Sequence, residues 1–121
     1  MMTWTTAGDV PADLSASAVT IGKFDAIHLG HQALLANLID VAENEALVPV
    51  VLTFANHPNA ILAPAEVPLP VIGPNQRRDL FDEAGVEGVL ELAFDDELAS
   101  LSPREFVTKY LVDALKAAWV L

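Results

Sequence analysis

The amino-acid sequence predicts an α/β fold in which a parallel sheet carries helices on both faces. Short apolar runs of strand length alternate with longer segments whose apolar residues recur at helical spacing. Such an alternation is typical of βαβ units, whose crossover helices cover a parallel sheet. The 121 residues leave room for one small domain, and a hydrophobic fraction of 53% is high enough for a packed core.

The first half of the chain supplies two predicted strands and one predicted helix. Ser17–Ile21 is a β-branched run that ends at Gly22, as a buried strand would. Residues 31–45 show the apolar stripe of an amphipathic helix, and Val48–Phe54 follows as a second strand. Residues 55–74 hold five of the eight prolines, so we expect a loop there.

The second half repeats the alternation. A short helix is predicted over residues 75–84, with Gly85 as its stop, and Val86–Leu92 is a third strand candidate. Three side chains of this helix are expected to face the core: Leu80, Phe81 and Ala84.

A capping box at residues 102–105 (Ser-Pro-Arg-Glu) predicts the start of a last helix. The side chains expected on its buried face are Phe106, Val107, Tyr110, Leu111 and Leu115. A fourth apolar run begins at Ala117, and the sequence stops inside it. We therefore expect either a fold that is incomplete at its C-terminus or one that closes with Trp119 and Leu121 on a sheet edge.

The charge and composition exclude several classes of partner. Seventeen acidic against six basic residues give a net charge of −11, and no basic stripe is present, so we expect no nucleic-acid partner. No apolar run approaches 18 residues, so no membrane span is expected. The N-terminus has no basic and apolar leader pattern and the chain has no cysteine, which indicates a cytoplasmic location.

The segment after the first predicted strand holds the candidate site, because ligands of parallel sheets bind beyond the carboxyl ends of the strands. Residues 22–31 carry two of the three histidines, His28 and His31, on either side of Gly30. A helix N-terminus offers unpaired N–H groups to phosphate, and imidazoles add donors. Two alternatives stand beside this interpretation: a chance His-x-Gly-His pattern, and a metal site made by the two histidines with His57. The neighbouring glycines favour phosphate, so we expect no metal site in the protein itself.

Residues 19–32, Val-Thr-Ile-Gly-Lys-Phe-Asp-Ala-Ile-His-Leu-Gly-His-Gln, resemble the signature of one known family. This family is the FMN adenylyltransferase module of the bacterial bifunctional riboflavin kinase/FAD synthetases. The resemblance continues in order through residues 53–58, 85–90, 94–95 and 101–107. It implies the Rossmann-like nucleotidyltransferase fold of the HxGH superfamily.

The resemblance implies adenylyl transfer, in which the FMN phosphate attacks the α-phosphorus of ATP to give FAD and pyrophosphate, with Mg²⁺ accompanying ATP. It implies catalytic contacts from His28 and His31 to the ATP phosphates. The nucleotide-binding residues that it implies are Gly22, Lys23, Phe24, Asp25 and Gly30. The flavin-binding residues that it implies are Phe54, Asn56, His57 and Pro58. Packing at a strand end is an alternative role for Phe54. Arg77 matches a position that is usually basic in the family, and a solvated helix face explains an arginine there equally well.

The chain departs from the family pattern at three positions, with Ala26 for a usual glycine, Asn56 for a common proline and Lys23 for an uncharged residue. The family also continues past the fourth strand into further nucleotide-binding segments and a riboflavin kinase domain. We therefore expect residues 1–121 to be a partial adenylyltransferase domain, inactive or weakly active alone, from a protein that also phosphorylates riboflavin. Two alternatives are a non-catalytic nucleotide-binding remnant and another HxGH enzyme, such as a pantetheine-phosphate adenylyltransferase.

Overall fold

The computed structural model describes residues 1–22, 29–54, 74–93 and 95–121, and at 29–31 and 74–76 it describes the backbone alone. Within these ranges five strands form one sheet, and every pair of neighbouring strands is parallel. In chain order the strands are β1 (Met2–Trp4), β2 (Ser17–Ile21), β3 (Val48–Phe54), β4 (Gly88–Leu92) and β5 (Ala117–Val120). The predicted α/β class with a parallel sheet is confirmed.

The order of the strands across the sheet is β1-β4-β3-β2-β5. The chain moves across the sheet from β2 through β3 to β4. It then returns past β3 and β2, so that β5 pairs with the other side of β2. The order therefore reverses between β2 and β5, which makes this boundary the topological switch point of the sheet. Ligand crevices of open parallel sheets lie outside the carboxyl ends of the strands at such a point.

The predicted boundaries of β2 and β3 are confirmed, and those of β4 shift. β4 begins at Gly88 rather than Val86, because the Val86 N–H donates to the Phe81 carbonyl at 3.0 Å and still belongs to the end of a helix. Gly88 itself lies against the ring of Trp4, where an added Cβ would be 2.6 Å from Cη2. The edge strand β1 was not predicted, since three residues carry too little of an alternating pattern.

Two helices cover one face of the sheet, α1 (Leu29–Glu45) and α2 (Pro74–Ala84). The core beneath them consists of Ala18, Leu35, Leu38, Ala42, Val51, Phe81, Val86 and Val89. Phe81 faces this core as predicted and Leu80 is half-buried, but Ala84 is exposed, so its predicted burial is wrong. Ala84 is the last residue of α2, and the chain turns away there through Gly85, whose φ of 100° confirms it as the predicted stop.

The opposite face carries a 3₁₀ turn (Ala7–Asp9), α3 (Asp96–Ser100), and α4 (Pro103–Phe106), which continues into a π-helix (Val107–Ala114). The core on this face consists of Trp4, Val10, Leu14, Val19, Val50, Leu52, Leu90, Leu92, Leu98, Tyr110, Leu111 and Leu115. Helices therefore cover both faces, as predicted. The five-residue α3 was not predicted; it begins where the Asp95 carboxylate accepts the Leu98 N–H at 2.9 Å.

The last helix begins with the predicted capping box. The Ser102 hydroxyl accepts the Glu105 N–H at 3.1 Å, and the Glu105 carboxylate accepts the Ser102 N–H at 2.9 Å. The predicted burial of Val107 is wrong, because this residue is 44% exposed. The prediction assumed α-helical spacing, whereas a π-helix bonds i→i+5, as the Leu115 N–H does to the Tyr110 carbonyl at 3.0 Å. The wider turn changes which side chains share a face of the helix, so α-helical spacing does not predict burial here.

The C-terminal apolar run forms the edge strand β5. The Trp119 side chain is 47% exposed there, and the Leu121 N–H donates to the Val19 carbonyl at 2.9 Å. The expectation that both residues lie on a sheet edge agrees with this position.

Candidate active site

The N-terminus of α1 lies at the carboxyl edge of the sheet. At the other end of this helix, the Leu47 N–H donates to the Ala42 carbonyl and the Val48 N–H to the Ala16 carbonyl, which places the end of α1 beside the starts of β2 and β3. Since α1 packs antiparallel to β2, its first turn lies where β2 ends. The unpaired N–H groups and the partial positive charge of that turn favour an anionic ligand.

Three of the predicted nucleotide-binding or catalytic residues have a described backbone at this edge. Gly22 follows β2, and its N–H donates to the Leu52 carbonyl at 3.1 Å, which holds the strand end against β3. Gly30 and His31 are the second and third residues of α1, which begins two residues earlier than predicted. The other predicted residues of this segment lie outside the described residues: Lys23, Phe24, Asp25 and His28.

Phe54, a predicted flavin contact, is the last residue of β3. Its side chain is half-buried and packs against the core on the α4 face of the sheet, opposite α1. Its register partner Leu92 lines a cavity of about 290 Å³ beyond the carboxyl ends of β1 and β4. The position of Phe54 thus agrees with its packing role and places it one strand from a cavity. The remaining predicted flavin-binding residues lie outside the described ranges: Asn56, His57 and Pro58.

A set of buried polar side chains lies just below the carboxyl edge, and we refer to it as the polar layer. Its members are Thr20, Thr53, Arg77, Arg78 and Glu91. All of them except Arg78 are among the buried polar residues of the described chain, where the only other one is Ser17. Polar groups buried in the described part of this protein are therefore concentrated next to the candidate site.

The three strand members of the polar layer share one face. Each is the next-to-last residue of its strand. Because side chains two residues apart on a strand point to the same side, they face the same way as Ala18, Val51 and Val89, which pack beneath α1 and α2. The polar layer therefore lies between the sheet and the two helices whose N-termini face the carboxyl edge.

Glu91 is the negatively charged member of the polar layer, and its side chain is 7% exposed. Arg78 Nη2 lies 3.3 Å from one carboxylate oxygen, and Arg77 Nη2 lies 3.9 Å from the other. Arg77 is 5% exposed, so the interpretation of this residue as part of a solvated helix face is wrong. The Glu91 carboxylate on β4 gives the buried Arg77 guanidinium an opposite charge nearby, as is usual for buried charged side chains.

The Thr20 hydroxyl differs from the rest of the polar layer. It is fully buried, and its Oγ1 has no hydrogen-bond partner in the described structure. A buried hydroxyl without a partner is costly, so such an atom in a native fold needs a specific reason. Its position on β2, two residues before Gly22, points to the candidate site as that reason.

Sequence reasoning did not predict the polar layer beside the candidate site, and the members that it missed are Thr20, Thr53, Arg78 and Glu91. The signal was present, because each strand member interrupts an apolar run near its end: Val-Thr-Ile, Leu-Thr-Phe and Leu-Glu-Leu. A polar residue at such a position is expected to face either solvent or a buried site, and only the helices packed above it decide between the two.

Two further features lie outside this site. A cavity of about 600 Å³ lies at the opposite edge, near the starts of β1 and β3. Ligands of parallel sheets bind at the other edge, so we do not assign the site there. Beside the 290 Å³ cavity, Lys109 Nζ donates to Glu97 Oε1 at 3.3 Å, and this hydrogen bond raises the pKa of Lys109.

The described ranges also answer two questions about membranes and metals. No helix in them is long and apolar enough to cross a lipid bilayer. They contain no group of three or more His, Cys, Asp or Glu side chains arranged to hold a metal ion.

The strand order, the glycine at the end of β2 and the helix N-terminus beside it define a Rossmann-like α/β fold, which is consistent with the nucleotidyltransferase class. The family model for FAD synthetase matches residues 10–121. The chain therefore belongs to the FAD synthetase family.

Curated relatives agree with this family. The chain is 41% identical over 96 residues to the bifunctional riboflavin kinase/FMN adenylyltransferase of Pseudomonas fluorescens, covering 79% of this chain and 30% of that protein. It is 32% identical over 97 residues to the protein of the same name from Bacillus subtilis, covering 79% and 31%. It is 33% identical over 103 residues to an FAD synthetase of Listeria monocytogenes, covering 84% and 41%. The chain thus spans less than half the length of each of these relatives.

A solved structure described as a macrolide-efflux protein from Streptococcus pneumoniae has the same fold. It superposes with a TM-score of 0.83 and 31% sequence identity over 98% of this chain and 40% of that chain. Its description differs from the names of the curated relatives. A common fold does not carry an activity from one protein to another, so we take only the architecture from this comparison.

Proposed function

We propose that this chain belongs to the adenylyltransferase module of an FAD-forming protein and takes part in the transfer of AMP from ATP to FMN. The observation that carries the proposal is the N-terminus of α1 beside the Gly22 end of β2, at the carboxyl edge of a FAD synthetase-family sheet. The names of the bifunctional relatives support FMN as the acceptor. They also support riboflavin phosphorylation as a second activity of a longer protein containing this module.

The chemistry required at the site is electrostatic. A phosphate oxygen of FMN attacks the α-phosphorus of ATP in line, the new P–O bond gives FAD, and pyrophosphate leaves with the electrons of the broken bond. Charge spreads over the phosphoryl oxygens in the transition state, so fixed N–H donors and dipoles can stabilise it without a covalent enzyme intermediate. The first turn of α1 supplies such donors.

His28 and His31 are proposed as the catalytic residues, donating hydrogen bonds to the ATP phosphates. The position of His31 in the first turn of α1 supports this assignment, and His28 directly precedes that turn. We propose that Mg²⁺ enters as Mg-ATP, with phosphate oxygens among its ligands. The remaining nucleotide-binding residues of the proposal are Gly22, Lys23, Phe24, Asp25 and Gly30.

We propose that the flavin lies on the side of the sheet edge where β3 ends. The flavin-binding residues of the proposal are Phe54, Asn56, His57 and Pro58. An aromatic face suits the isoalloxazine ring, and Phe54 neighbours Leu92 at the wall of the 290 Å³ cavity. The partners of the chain are then two small molecules, ATP and FMN, in the cytoplasm, with no nucleic acid.

A fluorescence titration tests the proposal. FMN is titrated with the 121-residue chain in the presence and in the absence of Mg-ATP, and the intrinsic flavin emission is recorded. We expect saturable quenching that weakens in Phe54→Leu and persists in Phe106→Leu, a control that removes another half-buried ring. Calorimetric binding of ATP without any effect on FMN emission would contradict FMN as the acceptor and favour another HxGH nucleotidyltransferase. No binding of either ligand would favour a non-catalytic remnant.

A further inference from the structure

We propose that Arg77, whose guanidinium lies 3.9 Å from Glu91, is a positioning residue whose buried positive charge strengthens the binding of polyphosphate at the carboxyl edge. The inference rests on the proposed function, because the polyphosphate would be that of ATP. It assigns a role to a charged pair that the proposed chemistry does not use.

The register of the sheet places this pair at the level of the candidate site. Glu91 is the register partner of Thr53. The Gly22 N–H donates to the Leu52 carbonyl, so Gly22 lies at nearly the same level as Thr53. Adjacent strands are about 4.8 Å apart, so Glu91 on β4 is about 10 Å from Gly22 on β2. The guanidinium of Arg77, 3.9 Å from Glu91, lies on the face that α1 and α2 cover.

Local energetics do not favour a cation at residue 77. Arg77 is the fourth residue of α2, in the N-terminal part of the helix, where the macrodipole favours carboxylates over cations. Burial of the guanidinium also carries a desolvation cost, against which the attraction of the Glu91 carboxylate at 3.9 Å acts. Both terms oppose arginine at this position, and departures from local preference are expected where function requires them.

The positive charge of Arg77 adds to other features of the carboxyl edge that favour an anion. The N-termini of α1 and α2 both carry partial positive charge there. The Thr20 hydroxyl, two residues before Gly22, is fully buried and has no hydrogen-bond partner among the residues described. At about 10 Å and an effective dielectric constant near 20, one unit charge alters the affinity for a unit anion about tenfold. The pair is thus close enough to tune anion binding without touching the ligand.

The sign of the effect separates this role from a purely structural one. Arg77→Gln and Glu91→Gln both break the same ion pair, so a structural role predicts that both variants change anion binding in the same direction. The charge role predicts opposite directions, because one variant removes a positive charge and the other removes a negative charge. Arg77→Lys keeps the charge and serves as the conservative control.

The experiment is isothermal titration of the 121-residue chain with inorganic triphosphate, without Mg²⁺, for the wild type and the three variants. We expect affinity to fall about tenfold in Arg77→Gln, to rise severalfold in Glu91→Gln, and to stay within about twofold in Arg77→Lys. Urea unfolding verifies that each variant is folded. If Arg77→Gln does not fold, the comparison of Glu91→Gln with the wild type decides, because the charge role predicts a gain in affinity and a structural role predicts a loss.

Equal affinities in all variants, or losses in both glutamine variants, would overturn the inference and leave the proposed function intact. Failure of the FMN titration alongside opposite shifts in triphosphate affinity would overturn the proposed function and leave the role of Arg77 intact. A wild-type chain that binds no triphosphate would contradict both.

Discussion

Two buried hydroxyls on β2 show how a single residue can mark a site. The Ser17 hydroxyl donates to the Leu115 carbonyl at 2.6 Å, so its burial is explained by the fold. The Thr20 hydroxyl, on the opposite face of the strand and near its end, has no such partner in the described structure. The described fold accounts for the burial of the first hydroxyl and not for that of the second, which lies two residues before Gly22 at the candidate site.

The position of candidate site residues in the fold could be predicted from the sequence where local structure decides it, while their roles stay predictions. Gly22, Gly30 and His31 were placed at a strand end and a helix start, and the backbone of all three lies there. The burial of the Arg77 side chain could not be predicted, because a position on a helix does not by itself show whether a side chain is buried. Its environment depends on Glu91, a residue of another element that packs below it, and no local pattern contains that pairing.

In a longer protein that contains this module and forms FAD, replacing His28 or His31 with alanine is expected to lower FAD formation about 100-fold or more, because each removal takes a donor from the charged transition state. FAD is measured by HPLC after incubation with FMN, Mg-ATP and pyrophosphatase. Gln32→Ala, an exposed neighbour in α1, is the control and should retain the wild-type rate. Wild-type rates in both histidine variants would remove the imidazoles from the mechanism.

Among the elements, long periodic segments were predictable and short or irregular ones were not. The longer elements contain enough apolar residues to show a strand or helix periodicity in the sequence, and these are β2, β3, α1 and α2. The three-residue β1 and the five-residue α3 do not. The π-helix misled the prediction in another way, since its apolar residues fit an α-helical stripe in sequence while its hydrogen bonds follow a wider turn.

Gly88→Ala is expected to destabilise the protein by about 1–3 kcal/mol, because its Cβ would lie 2.6 and 2.7 Å from two ring atoms of the buried Trp4. Urea unfolding measures the change. Gly8→Ala is the matched control, since the nearest atom to its Cβ would be 3.7 Å away. Equal stabilities of the two variants would show that Trp4 moves aside freely and does not fix the β1–β4 pairing.

The capping box of α4 gives a pH-dependent contribution to stability. The hydrogen bond from the Ser102 N–H, together with the Ser102 side chain, lowers the pKa of Glu105 below its ordinary value of 4.5. A carboxyl whose pKa is lowered by folding stabilises the protein above pH 4.5, and this stabilisation is lost as the pH falls through the folded-state pKa. The stability difference between wild type and Glu105→Gln should therefore shrink below pH 4.5 in urea unfolding. A difference that is constant from pH 7 to pH 3 would contradict this.

The charge of the whole molecule is unevenly placed. Carboxylates gather near the C-terminal ends of α1 and α2, away from the candidate site, and those of the described chain include Glu43, Glu45, Asp82, Glu83 and Glu87. Neither helix has a basic residue in its last turn, so the carboxylates also repel the negative ends of the helix dipoles. Anionic substrates would be repelled from this end and are better accommodated at the carboxyl edge.

This arrangement predicts that salt stabilises the protein. With a net charge of −11, raising NaCl from 0.05 to 0.5 M should raise the Tm by about 3 °C or more, because screening reduces carboxylate repulsion. Differential scanning fluorimetry measures the shift. Glu45→Lys removes one repulsive contact at the end of α1 and should reduce the slope. A Tm that falls with salt would indicate that the exposed ion pairs outweigh the repulsion.

The most direct test of the central claim uses FAD, because this product would occupy the nucleotide and flavin subsites together. FAD is titrated into the 121-residue chain by calorimetry, alone and in the presence of saturating ATP or saturating FMN. We predict that FAD binds and that each substrate alone weakens its binding, since each occupies one of the two subsites. Competition by ATP with no effect of FMN, or the absence of FAD binding, would contradict the assignment of this carboxyl edge to adenylyl transfer onto FMN.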